Sequence, residues 1–187
     1  MDITVMCHGR NIEIPDPTTH SYLGGFVESL NSVRDVQTGK LTESLFTTCD
    51  PVYRNKLLVG HMAITKKRML DNEQIDDPLV PISGQCSHVA LMRHKAELVV
   101  TYEKQRKALT DGVHYCAVFK PVEEADDYFA QSEPPAHDSW EYRGMTDTLA
   151  KSCVRVALRK MKQLWHDHTT LNQTKNDTGS DLSLIHI

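Results

Sequence analysis

The strongest apolar pattern lies late in the chain. Ala150, Cys153, Val154, Ala157, Leu158, Met161, Leu164 and Trp165 recur at i, i+3, i+4 and i+7, the spacing that lines one stripe of a helix. It predicts an amphipathic helix from about Thr148 to His168. Tyr22, Phe26, Val27, Leu30 and Val33 follow the same period. Gly24 and Gly25 weaken that second helix, since each glycine costs roughly 1 kcal/mol against alanine.

Alternation marks the strands. Ile3, Val5, Ile12 and Ile14 flank His8-Gly9-Arg10-Asn11, predicting a hairpin over 3–14 with Gly9 or Asn11 at the positive φ of its turn. Pro15 and Pro17 stop it. Glu97–Tyr102 and Val113–Phe119 are rich in valine and aromatic residues, with Thr110-Asp111-Gly112 between them. They are expected to pair as an antiparallel hairpin over 97–119. Asp50-Pro51 has the chemistry of a helix start, and Leu57–Thr65 fits either its continuation or a strand. Asp76 to Gly84 reads as a loop. Pro121 with Glu123 and Glu124 opens a short helix, which ends before Pro134 and Pro135.

These elements predict an α+β fold, a small antiparallel sheet packed with helices and closed by the long last helix. Residues 1–171 are expected to form one domain, followed by a polar, disordered tail at 172–181. Leu182 to Ile187, LSLIHI, is an apolar coda. It matches what CTG-TCT-CTT-ATA-CAC-ATC encodes, a transposase recognition end used in sequencing libraries. It is expected to be adapter read-through, and the chain a fragment of a longer protein.

Composition narrows the function classes. The chain has 187 residues, 40% hydrophobic and 25% charged, ordinary values for a globular domain with a real core. A net charge of −4 rules out a global basic field for nucleic acid or anionic membrane, so any such binding needs a local patch. No run suits a membrane span and no secretory leader is evident. Five scattered cysteines point to reduced thiols and a cytoplasmic setting. Asn172 and Asn176 fit glycosylation sequons, read here as accidental.

The densest run of reactive side chains is Val113 to Trp140. Within and beside it, three constellations could carry chemistry. Cys86-x-His88 and His114-x-Cys116 each place two ligands on one face of a strand; together they would make a Cys₂His₂ set suited to zinc. The competing reading is a core thiol with surface or capping histidines. His137 and Asp138 follow the rigid Pro134-Pro135 pair and could serve as a general base with a carboxylate. No nucleophile elbow, phosphate loop or HExxH accompanies them. Lys151, Arg155, Arg159 and Lys162 project together from the last helix and could contact phosphates, or form a solvated face. Cys153, mid-stripe, reads as buried and inert.

With no recognisable catalytic constellation, the leading expectation is a non-enzymatic binding or scaffolding module of a larger cytoplasmic protein. Its partner would be a protein or the remainder of the parent chain, with no membrane. A hydrolase or metal-dependent enzyme using His137 and Asp138 is the second reading. The third is a nucleic-acid-binding accessory protein using the basic edge.

Overall fold

The computed structural model describes residues 5–12, 16–20, 23–40, 44–68, 86–106 and 113–177, and the side chains of 16–170 within those ranges. The chain is α+β. A small hairpin, β1 (Val5–Cys7) and β2 (Arg10–Ile12), turns through His8 at φ 49° and Gly9 at φ 76°. Two positive φ values in succession match the twist of a two-residue hairpin, so His8, not Asn11, is the second strained residue. The outer residues of the expected 3–14 hairpin lie outside the described residues.

Next come α1 (Leu23–Gln37), β3 (Thr47–Arg54), β4 (Leu57–Arg68), β5 (Ser87–Met92), β6 (Val99–Lys104) and β7 (Val113–Pro121). Two helices close the order, α2 (Glu123–Ala130) and α3 (Thr148–Asp177). The five longer strands form one sheet in the order β3-β4-β7-β5-β6, antiparallel except for β5 beside β7.

The expected 97–119 hairpin is therefore corrected. Both strands exist, but β6 pairs with β5, while β7 inserts between β4 and β5. Burial explains the choice. All nine positions of β7 and all six of β5 are buried, whereas no position of β6 is. A strand buried on both faces belongs inside a sheet covered on both sides, and the more exposed one at its edge.

Asp50-Pro51 is the second correction. The pair sits within β3, opposite Met62 and His61, and starts no helix. Pro51 lacks an N–H, but an edge strand tolerates that. Leu57–Thr65 resolves as strand, within β4.

Helices cover both faces of the sheet. On one, Val89, Leu91, Tyr115, Ala117 and Phe119 meet Phe129, Trp140, Val154, Ala157, Met161 and Trp165. Trp140 packs on Phe129 and Phe119, with ring centroids 4.6 and 5.8 Å away. On the other face, Phe26 covers Cys86, Ala90, Met92, Cys116 and Val118. The paired glycines acquire a reason here. A Cβ on Gly25 would lie 2.8 Å from Cys116 Cβ and 2.7 Å from its sulfur.

Asp147 caps α3, accepting from the Leu149 and Ala150 amides at 2.8 and 3.1 Å, as an N-cap carboxylate does. The helix runs on to Asp177, so the first part of the expected polar tail continues it. The rest of that tail, the 182–187 segment and the expected 76–84 loop lie outside the described residues. Among the described residues no helix is long and apolar enough to cross a membrane.

Gly25→Ala decides between two physical effects. Helix propensity alone would stabilise by roughly 1 kcal/mol. Overpacking against Cys116 should instead destabilise by about 1–3 kcal/mol, read as a lower urea midpoint. An equal or higher midpoint would contradict the close seating of α1.

Candidate functional site

The turn between β3 and β4 faces the outer side of α3. Asn55 takes φ 54° there, a region asparagine tolerates better than most residues. This bend brings Tyr53, Arg54 and Asn55 opposite Ser152, Arg155, Val156, Arg159, Lys160 and Leu164, across a groove of about 570 Å³. The helical residues fall on successive turns because the apolar stripe buries Cys153, Val154, Ala157 and Met161 against the sheet. Arg54 is anchored, its Nε donating to Ser152 Oγ at 2.8 Å. Lys160 Nζ reaches Gln163 Oε1 at 3.4 Å. Tyr53 is 47% exposed.

Charge sets this groove apart. Arg54, Arg155, Arg159 and Lys160 line it, and none of its described lining residues is a carboxylate. Like charges gathered on one concavity repel one another, and an anion placed among them relieves that repulsion. The chain as a whole carries −4, so this groove is a local basic patch on an acidic chain.

The structure divides the expected basic edge. Arg155 and Arg159 reach the groove. Lys151 Nζ instead donates to the Arg143 carbonyl at 3.1 Å, and Lys162 Nζ pairs with Glu103 at 3.2 Å. Sequence reasoning missed Arg54, Lys160 and Tyr53. The available signal was a β-turn at Asn55-Lys56, hidden by the helical reading of Asp50-Pro51.

His137 and Asp138 part company as well. Asp138 accepts from Ser139 Oγ at 3.3 Å. The carboxylate at His137 is Glu133, whose Oε2 lies 2.8 Å from His137 Nδ1. Glu133 also accepts from Arg93 Nη1 at 3.0 Å and Trp140 Nε1 at 3.4 Å. Arg93 meets both oxygens of Asp126, at 3.0 and 2.8 Å, and the His94 amide donates to Asp126 at 2.8 Å. Burial works to raise the Asp126 carboxyl, but Arg93 and the His94 amide outweigh it and hold it low. The cluster ties the Pro134-Pro135 segment to the end of β5. His137 stands exposed at φ 52° beside a groove of about 380 Å³. No serine, threonine or cysteine is among that groove's described lining residues, so they supply no hydroxyl or thiol nucleophile beside His137.

The four expected metal ligands do gather. Cys86 precedes β5, His88 pairs in register with Cys116, and His114 lies two residues before Cys116 on β7. Cys86 and Cys116 sulfurs are 3.5 Å apart, and His88 Nδ1 is 3.9 Å from Cys86 Sγ. His114 Nδ1 accepts the Cys86 amide at 2.7 Å, which occupies that nitrogen's lone pair. Among the described residues no group of three or more His, Cys, Asp or Glu is placed to hold a metal ion. The Cys116 thiol, donating to Cys86, holds the Cys86 thiol below its usual range against the effect of burial, with His88 assisting, while Cys116 itself is raised. Cys153 is fully buried and burial raises its thiol, which suits a core residue.

No protein-family model, no curated protein and no solved structure matches this chain.

Arg93→Met tests the clamp around Glu133. It would take the guanidinium away from two nearly buried carboxylates, Asp126 and Glu133, and losing one partner of a buried pair typically costs about 3–5 kcal/mol. Urea denaturation should show a loss of that order. A loss under about 1 kcal/mol would mean the cluster is ornamental to stability.

Proposed function

We propose that the chain is a non-enzymatic binding module that holds the sugar–phosphate backbone of a single-stranded nucleic acid in the groove between the Tyr53–Asn55 turn and α3. One observation carries the reading: four cationic side chains share this groove with no carboxylate among its described lining residues. Each Lys or Arg that neutralises a phosphate releases condensed counterions, which drives binding without reading sequence. Tyr53 favours single strands over duplex, because an exposed ring beside a cationic track offers a stacking platform for an unpaired base. Asn55 adds a polar group at the same rim.

A reduced, cytoplasmic setting suits this role. Five cysteines scattered along the chain fit a compartment where cellular reductants act.

The test is fluorescence anisotropy with a labelled single-stranded oligonucleotide at about 50 mM salt. The double variant Arg155→Glu, Arg159→Glu should weaken binding at least tenfold while circular dichroism stays unchanged. Tyr53→Ala should cost about 1–3 kcal/mol, the value of one stacked base. Lys151→Glu, outside the groove, should bind as the parent does. The proposal fails if the parent does not bind, or if charge reversal at Arg155 and Arg159 changes nothing.

A further inference from the structure

A second site lies under α1, on the opposite face of the sheet from the basic groove, and does not depend on the nucleic-acid reading. Cys86 and Cys116 are both buried, at 0 and 2% exposure, with their sulfurs 3.5 Å apart. The Cys116 thiol points its hydrogen at Cys86 Sγ. His88 Nδ1 stands 3.9 Å from the same sulfur. The Cys86 backbone is itself held, its amide donating to His114 Nδ1 at 2.7 Å. A disulfide needs the sulfurs at about 2.05 Å, so each has less than about 1 Å to travel.

We infer that Cys86 and Cys116 form a redox-modification site, a dithiol that a hydroperoxide closes to an intramolecular disulfide. Cys86, the acceptor of the pair, attacks one oxygen of the peroxide. The O–O bond breaks, the departing hydroxide takes the Cys86 proton as water, and Cys86 becomes a sulfenic acid. Cys116 Sγ then attacks the Cys86 sulfur. The S–O bond breaks, and the Cys116 proton leaves with that hydroxyl as a second water. Two thiols are oxidised by two electrons, and one hydrogen peroxide is reduced to two waters.

The other described thiols lack this arrangement. Burial, then the Asp50 carboxylate, pushes Cys49 up to about 11. Cys153 is buried in the core between the sheet and α3. A peroxide is also small enough for a tight site where a bulky disulfide reagent is not. Closure would tie the start of β5 covalently to β7.

The experiment treats the full chain with hydrogen peroxide, blocks remaining thiols and maps peptides by mass spectrometry. The expected product has lost two hydrogen atoms, links the Cys86 peptide to the Cys116 peptide, and reverts with dithiothreitol. The oxidised form should also melt at higher temperature than the reduced one. In Cys116→Ser the sulfenic acid on Cys86 has no resolving partner and should be trapped by dimedone present as the oxidised chain is unfolded, whereas the parent should not be. The inference is overturned if the parent keeps both thiols, if Cys86 only gains oxygen atoms, or if the link joins other cysteines. The parent peptide map decides even if the serine variant does not fold.

Discussion

A strand buried on both faces and paired on both edges has no water to satisfy its polar groups, and β7 is such a strand. Every polar side chain it carries needs a protein partner. Lys120, buried on the α1 face, donates to Glu97 at 2.6 Å, and Glu97 also takes Arg34 of α1 in a bidentate pair. His114 accepts the Cys86 amide. The Cys116 carbonyl receives Ser29 Oγ of α1 at 2.9 Å, and the same hydroxyl meets Thr65 of β4 at 2.8 Å. These partners are what fix α1 on the sheet, and Gly25 is the place where it comes closest.

The opposite face of β7 is apolar, and its demands set the orientation of α3. Tyr115 and Phe119 require Trp165, Phe129 and Trp140 against them. Once Cys153, Val154, Ala157 and Met161 point inward, Ser152, Arg155, Arg159 and Lys160 flank the turn that follows β3. The basic groove is thus a by-product of core packing in position, though not in charge. Nothing in the core calls for four cations around one concavity.

The helices were legible because their periodicity is long and the core obeys it. Residues 150–165 bury Ala150, Cys153, Val154, Ala157, Met161 and Trp165 as the stripe demands. Strand partners were less legible. Thr110-Asp111-Gly112 is a sound local turn signal, but the two-sided burial of β7 overrode sequence adjacency. Asp50-Pro51 misled for a related reason: a capping pair also fits an edge strand, and only the neighbouring β4 decides. That error concealed the Asn55 turn and, with it, half of the groove. The four ligand-type residues of β5 and β7 were found by their two-residue spacing, which a strand translates directly into a shared face. The buried Glu133 beside His137 was missed because a four-residue separation across two prolines has no fixed geometry.

The salt dependence of oligonucleotide affinity tests the central claim most directly. Four cations meeting phosphates of a single strand predict a slope of log affinity against log salt of roughly −2 to −3, falling by about half when Arg155 and Arg159 are replaced. A slope near zero, or one that the replacement leaves unchanged, would contradict the groove as a phosphate-binding site.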